Sequence, residues 1–124
     1  MYTILKVPKA PRVPDLIMKA GDTLPAIETV LTENGAPLSL LDMTSVKFHF
    51  RSITPGSTTQ SRVAASPEPR GGVVRYAWVK GDLTAPGDYL GEFELSFGTD
   101  TMTFPVSADP EYANLLIRVI PALL

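Results

Sequence analysis

Apolar and polar residues alternate between residues 71 and 104, and this pattern constrains the fold more than any other feature. Within each of two segments, every second residue falls on one face. These residues are Val74, Tyr76 and Trp78 in the first segment and Tyr89, Gly91, Phe93, Leu95 and Phe97 in the second. A side-chain period of two is typical of β-strands with one buried and one solvent-facing side. The Gly-Thr-Asp link at 98–100 predicts a hairpin between the last two runs. We therefore predict antiparallel strands that share a core, with the rest of the chain forming the opposite wall.

Turn-forming residues divide the remainder of the chain into short runs. The 124 residues include 12 prolines and 9 glycines, and Asn34-Gly35 predicts a tight turn. Short runs separated by such turns are typical of a β-sandwich. We predict helix of no more than one turn, near 40–43 or 110–113. Outside the 71–105 stretch, the predicted strands cover residues 15–19, 26–32, 45–53, 60–65 and 114–120, and the predicted loops cover 54–59 and 66–72.

The two ends of the chain differ from the domain between them. We predict an extended arm over residues 1–14, a sandwich domain over 15–120 and an apolar tail over 121–124. Three prolines in the arm fix φ and remove backbone donors, which favours an extended segment outside the sheet. An apolar arm of this kind is expected to lie either along its own domain or on a neighbouring subunit, and the neighbour is preferred because proline-rich segments pair poorly with the chain's own sheet. The predicted interface residues are Tyr2, Ile4, Leu5, Val7 and Val13 in the arm and Leu123 and Leu124 in the tail.

Composition narrows the classes of function. Hydrophobic residues make up 44% of the chain and charged residues 19%, which is typical of one globular domain. The net charge of -2 argues against a nucleic-acid binder, which would carry a basic face. The chain has no cysteine, so neither a disulfide framework nor thiolate chemistry is available. We expect no membrane span and no export signal, because no apolar run approaches about 20 residues.

The residues that could support catalysis are better interpreted as surface residues of the sheet. His49 is the single histidine, on the outward side of a predicted strand between Lys47 and Arg51, and no Gly-x-Ser-x-Gly motif accompanies it. Glu92 and Glu94 share the outward face of their strand, roughly 6–7 Å apart, near the separation of a glycosidase carboxyl pair. No aromatic platform is expected beside them, so a solvated sheet face is the preferred interpretation.

The aspartates and aromatic residues also receive structural interpretations. We expect the aspartates to satisfy loop backbone groups at turns and strand ends, since none fits a calcium loop. The aromatic residues could form a sugar-binding platform, but their shared parity favours the core. We therefore predict no catalytic residue, metal, cofactor or small-molecule ligand. The residues considered are Asp22, Asp42, Asp82 and Asp88, then Trp78, Tyr76 and Tyr89.

Several segments, taken together in their order, resemble the N-terminal domain of tailed-phage baseplate upper proteins. The resemblance covers about residues 15–119 and implies a small immunoglobulin-like β-sandwich, here an antiparallel one of about seven or eight short strands. The segments are Lys19-Ala-Gly-Asp-Thr, Asn34-Gly-Ala-Pro-Leu-Ser-Leu, Val46-Lys-Phe-His-Phe-Arg, Gly72-Val-Val-Arg-Tyr-Ala-Trp with Gly81-Asp82, Ala85-Pro-Gly-Asp-Tyr-Leu-Gly-Glu-Phe-Glu-Leu and Thr103-Phe-Pro.

The resemblance implies a virion structural module that anchors tail-tip or fibre components to the phage particle, with other phage structural proteins and its own copies as partners. In the baseplate proteins a long helical or fibre-forming segment follows this domain. Since this sequence stops at residue 124, we expect a stand-alone subunit of a tail, neck or head-decoration assembly. The family offers no catalytic residues. Two alternatives remain open: a carbohydrate- or receptor-binding module that uses the loops at 54–59 and 66–72, and a hydrolase that uses Glu92 and Glu94.

Overall fold

The computed structural model describes residues 12–123 and shows an all-β fold, as predicted. This part of the chain contains no α-helix, only two single-turn 3₁₀ helices at Pro69–Gly71 and Pro110–Tyr112. The 3₁₀ helix at Pro110–Tyr112 confirms the single helical turn expected near 110–113. Residues 40–43 form no helix but a hydrogen-bonded turn, in which Met43 N–H donates to Leu40 O at 3.1 Å. The strands are β1 Leu16–Lys19, β2 Ile27–Val30, β3 Thr32–Glu33, β4 Ala36–Pro37, β5 Ser45–Ser52, β6 Gln60–Val63, β7 Ala65–Glu68, β8 Val73–Tyr76, β9 Gly87–Phe97, β10 Asp100–Phe104 and β11 Leu115–Ile120.

The strands form two main sheets that pack face to face. The larger sheet has the order β1-β11-β9-β5-β6, and β10 pairs with the C-terminal half of β9. The smaller sheet has the order β2-β8-β7. The strands β3 and β4 form a separate hairpin, and Asn34 and Gly35 in its turn have φ of 52° and 82°. Both values lie in the left-handed region that Asn and Gly tolerate, which confirms the predicted turn.

One strand pair departs from the predicted antiparallel arrangement. The strand β1 runs parallel to β11, with Leu16 opposite Ile117. Nearly the whole chain separates these two strands, so no tight turn dictates their relative direction. Both instead enter the large sheet from the same end.

The predictions for residues 60–72 were wrong in part. The expected single strand over 60–65 breaks at Ala64, where the chain passes from β6 in the large sheet to β7 in the small one. The expected loop over 66–72 is occupied by β7 and the 3₁₀ turn. Pro67 is tolerated because β7 pairs with β8 on one side only and its register is irregular there.

Aromatic side chains from the two sheets meet in the core. The ring of Phe48 on β5 lies 5.2 Å from the ring of Tyr76 on β8 and 5.6 Å from the Trp78 ring. Its neighbour in the same sheet is Gly91, where an added Cβ would lie only 2.5 Å from Phe48 Cζ. Glycine is therefore required at this close approach of β9 to the Phe48 ring.

The predicted core residues are buried, apart from Phe97, which is partly buried against the core. The alternating sets of β5, β8 and β9 lie inside, and Trp78 continues the set of β8 just beyond its end. On β2 the prediction left Val30 and Leu31 as alternatives; Leu31 is 5% exposed and Val30 is 52% exposed, so the core residue is Leu31.

Candidate functional site

The described part of the predicted terminal interface is exposed. Val13 is 80% exposed and Leu123 is 95% exposed. The other predicted interface residues, Tyr2, Ile4, Leu5, Val7 and Leu124, lie outside the described residues. Both ends of the described chain therefore present apolar side chains to solvent.

The root of the arm is held firmly against the domain by Arg12. Its guanidinium donates to the Glu111 carbonyl, to Asn114 O at 2.7 Å and to Asp15 Oδ2 at 2.9 Å, and lies 4.9 Å from the centre of the Tyr112 ring. The same Asp15 oxygen accepts the Leu116 N–H at 2.7 Å. Charge-assisted hydrogen bonds of this kind fix geometry as well as adding stability. Arg12 is consequently fixed beside the start of β11.

An apolar cleft opens between the two sheets near that point. The cleft has a volume of about 300 Å³. Among the described strands, β2 pairs only with β8 and β10 only with β9, so each contributes a sheet edge to this side. Val30 and Val106 at the cleft are 52% and 80% exposed. Its lining is apolar apart from two threonines: Thr29, Val30, Leu31, Thr32, Phe93, Phe104, Pro105, Val106 and Leu115. We call this surface the apolar cleft.

His49 lies in a hydrogen-bonded row on the outer face of the large sheet. Its Nδ1 is 2.7 Å from Ser61 Oγ and its Nε2 is 3.5 Å from Glu94 Oε1. The order hydroxyl, imidazole, carboxylate resembles that of a catalytic triad, but acyl transfer also needs donors for an oxyanion. The strand β5 lies between β6 and β9, so its own backbone N–H groups are engaged in the two ladders. Sequence reasoning missed Ser61, because cross-strand register cannot be read from either strand alone.

Glu92 and Glu94 face the same outer surface, and each lies opposite a basic side chain of β5. Glu94 is opposite Lys47 and Glu92 is opposite His49 in the β5–β9 register. Opposite charges across a ladder stabilise the pairing, which agrees with a structural role for this face. Residues 12–123 contain no group of three or more His, Asp or Glu side chains placed to hold a metal ion.

Asp82 is the aspartate with the strongest structural role. Its Oδ2 accepts the Tyr76 hydroxyl at 2.6 Å and the Val79 N–H at 2.9 Å, while its Oδ1 lies 3.4 Å from Arg62 Nη2. The carboxylate is 3% exposed, and burial together with this neighbouring negative charge raises the pKa of Tyr76 well above its usual range. The prediction that such aspartates satisfy loop backbone groups is confirmed here by the Val79 hydrogen bond.

The remaining aspartates lie at the surface. Asp88 receives a forked pair of hydrogen bonds from Arg118 at 2.9 and 3.2 Å, which lowers the pKa of the Asp88 carboxyl. Asp22 and Asp42 are exposed in turns. No described contact gives these two a role beyond their turns.

The aromatic residues belong to the core, as predicted. Trp78, Tyr76 and Tyr89 are 5%, 3% and 7% exposed. A stacking platform needs an open ring face, so these rings cannot form one. The Tyr89 hydroxyl donates to Ala85 O at 2.8 Å.

A second, polar cleft of about 490 Å³ lies under the 54–59 loop. Its lining includes Arg62 on β6, whose guanidinium lies over the Phe50 ring, and Arg51 on β5, whose side chain projects from the opposite face of the large sheet. Its lining includes hydroxyl and amide side chains: Ser52, Ser57, Thr58 and Gln60. We call this surface the polar cleft. Only the first of the two loops proposed for binding contributes to it, since residues 66–72 lie on the small sheet and its 3₁₀ turn.

Among residues 12–123, no helix has the length and apolar character needed to cross a membrane. No protein-family model matches the sequence. No curated protein matches it either.

Proposed function

We propose that this chain is a non-enzymatic structural subunit of a bacteriophage virion, in a tail, baseplate, neck or head-decoration assembly. It binds copies of itself and other phage structural proteins through its sandwich and terminal arms. The observation that carries this proposal is the exposure of apolar side chains at the root of the arm, along the apolar cleft and at the tail. Clustered exposed apolar residues mark surfaces that a partner covers.

The strand arrangement supports the immunoglobulin-like family on which the phage assignment rests. The arrangement is compatible with the immunoglobulin order: the first strand pairs with the last, the large sheet is centred on β9 and β5, and the small sheet contains β2, β8 and β7. Tyr89, near the start of β9, donates its hydroxyl to a carbonyl four residues upstream, as in a tyrosine corner. Gly91 then stands where antibody domains place the second disulfide cysteine, and Phe48 packs against it.

We place the arm of a neighbouring copy in the apolar cleft. Residues 2–7 read Tyr-Thr-Ile-Leu-Lys-Val, a segment rich in strand-forming residues. The cleft supplies the edge of β2, to which such a segment can add as a strand, and apolar walls for its side chains. The anchor at Arg12 fixes the point from which the arm begins.

Deleting residues 2–11 tests the role of the arm while leaving the Arg12 anchor intact. We expect the truncated chain to keep its thermal unfolding midpoint and to lose assembly, measured by light scattering. Unfolding of the truncated chain, or unchanged assembly, would contradict the proposal.

A disulfide-trapping experiment tests the acceptor directly, because the chain has no cysteine of its own. The double variant Leu5→Cys with Val30→Cys should give a dimer on a non-reducing gel after mild oxidation. The matched control, Leu5→Cys with Val63→Cys, places the second thiol on the β6 edge, where Val63 is 83% exposed, and should give little cross-link. A cross-linked monomer would show that the arm packs on its own domain instead.

A further inference from the structure

The turn of the β3–β4 hairpin places an asparagine side chain beside an unhindered backbone nitrogen. The turn consists of Asn34 and Gly35, and both residues are exposed. Within residues 12–123, no hydrogen bond engages the Asn34 side chain or the Gly35 N–H. An added Cβ at Gly35 would meet no heavy atom within 4 Å, so the space around this turn is open. Asparagine is a thermolabile residue, and an open nitrogen directly after it favours its reaction.

The reaction available to this pair is deamidation through a cyclic imide. The Gly35 nitrogen loses its proton to solvent and attacks Cγ of Asn34, which forms a new C–N bond and releases the side-chain nitrogen as ammonia. Water then opens the ring at either of its carbonyl groups, which gives aspartate or isoaspartate. Water is the single co-reactant, and the change leaves a carboxylate where the amide stood.

The hairpin can open for this reaction without unfolding the domain. Ring closure requires Asn34 to leave its left-handed conformation, in which φ is 52°. The strands β3 and β4 pair only with each other in the described chain, and an isolated two-stranded hairpin is marginally stable. At the base of the hairpin, Leu38 N–H donates to the carbonyl of the buried Leu31 at 2.8 Å. The turn can therefore rotate while the core below it stays folded.

The second asparagine of the sequence, Asn114, provides an internal comparison. It is followed by Leu115, the first residue of β11, which lies opposite Gly91 in the ladder. The leucine side chain hinders the nitrogen that would attack, and the strand pairing holds the backbone in place. The Asn114 carbonyl also accepts Arg12 Nη2 at 2.7 Å. We therefore expect Asn114 to resist the same reaction.

We propose that Asn34 is a deamidation site and that its isoaspartyl product opens the β3–β4 hairpin while the rest of the domain stays folded. Isoaspartate adds a methylene to the main chain, so a two-residue turn no longer matches the pairing of Glu33 with Ala36. Its free α-carboxylate is the group that isoaspartyl methyltransferases recognise. This modification goes beyond the assembly role and does not depend on it.

The test is to age the full chain in mildly alkaline buffer and to map it by peptide mass spectrometry. We expect the peptide that contains Asn34 to gain the mass of an amide-to-acid exchange, whereas the peptide that contains Asn114 stays unchanged. An isoaspartyl methyltransferase with labelled S-adenosylmethionine should label the aged chain and not the fresh one. A higher pH should speed the reaction, because the attacking nitrogen must lose its proton.

Three variants separate the chemistry from the stability of the turn. Asn34→Gly tolerates the same positive φ and has no amide, so the labelling should disappear. Gly35→Ala should slow the reaction severalfold because a side chain hinders the nitrogen, even though a φ of 82° strains alanine and loosens the turn. Asn34→Asp adds the carboxylate without the extra methylene, and Asp-Gly also suits this turn.

Amide hydrogen exchange then tests the structural consequence. The isoaspartyl chain should lose protection at Ala36 while its thermal unfolding midpoint stays near that of the parent. Freshly prepared Asn34→Asp should keep protection at Ala36, because its backbone is unchanged.

Three results would overturn the proposal. The first is equal deamidation of Asn34 and Asn114 in the folded chain. The second is an Asn34 that stays intact in the folded chain and reacts only after unfolding in urea, which would show that the turn protects it. The third is an isoaspartyl product with the parent's amide exchange at Ala36.

Discussion

The apolar cleft and the polar cleft differ in whether hydrogen bonds within the chain support them. The polar cleft stands on a network of hydrogen bonds within the chain, in which Asp82 links Tyr76, Val79 and Arg62. The apolar cleft has sheet edges and exposed valines, and the described residues that line it make no side-chain hydrogen bond with one another. The polar cleft is therefore supported by hydrogen bonds within the chain, whereas the apolar cleft leaves apolar side chains exposed.

This difference separates stability from assembly within one small domain. Buried polar groups are costly when a partner is removed, so changes in the Asp82 network should act on folding. Exposed apolar side chains contribute little to the folded monomer, so changes there should act on association. The three substitutions below test this separation.

The largest effect on folding is expected from Asp82→Ala. The change leaves the Tyr76 hydroxyl and the Val79 N–H without their acceptor and Arg62 without its counter-charge. We expect a loss of about 3 kcal/mol in the free energy of unfolding, measured by urea denaturation. Asp42→Ala, at an exposed turn, is the control and should change little. Equal effects of the two substitutions would mean that the network does not stabilise the fold.

An intermediate effect is expected from Tyr76→Phe, which removes one donor to Asp82. The loss should be about 2 kcal/mol near neutral pH, since the acceptor is charged. Burial and Asp82 raise the pKa of Tyr76, so the unfolded chain releases this proton near pH 10 while the folded protein retains it. The contribution to stability is therefore full below about pH 10 and falls as the pH rises above it.

Unfolding curves measured between pH 8 and pH 11 check this sign. The parent protein should lose stability more steeply than Tyr76→Phe above about pH 10. Parallel pH profiles would show that the hydroxyl titrates alike in the folded and unfolded chains.

The smallest effect on folding is expected from Val30→Asp in the apolar cleft. Val30 is 52% exposed, so the free energy of unfolding should change by about 0.5 kcal/mol or less. Assembly should nevertheless weaken, because a charge would enter an apolar contact. Val63→Asp on the β6 edge is the matched control for light scattering. Equal loss of assembly in both variants would assign the contact to a different surface.

The period-two pattern was sufficient to predict the core. The alternating inward-facing residues of β5, β8 and β9 are buried except the partly buried Phe97, and Trp78 beyond the end of β8 is buried as well. Local turn chemistry was also readable, as the positive φ values of Asn34 and Gly35 show. These features depend on neighbours in sequence, which is why sequence reasoning found them.

Features that depend on distant residues could not be predicted in this way. The switch between sheets at Ala64, the parallel pairing of β1 with β11, and the approach of Arg62 to Asp82 all require knowledge of which strands are adjacent. The pairing of Ser61 with His49 has the same origin. Asp82 itself was singled out only as a loop residue, because nothing in its sequence neighbourhood signals that Arg62 will reach it.

The most direct test of the central claim is the solution mass by light scattering over a concentration series, for the full chain and for the chain lacking residues 2–11. The account predicts defined oligomers of the full chain and a folded monomer after the deletion. Oligomers of the same size in both samples would contradict the assignment of the arm as the element that joins subunits. A monomeric full chain at every concentration would contradict self-assembly through the arm.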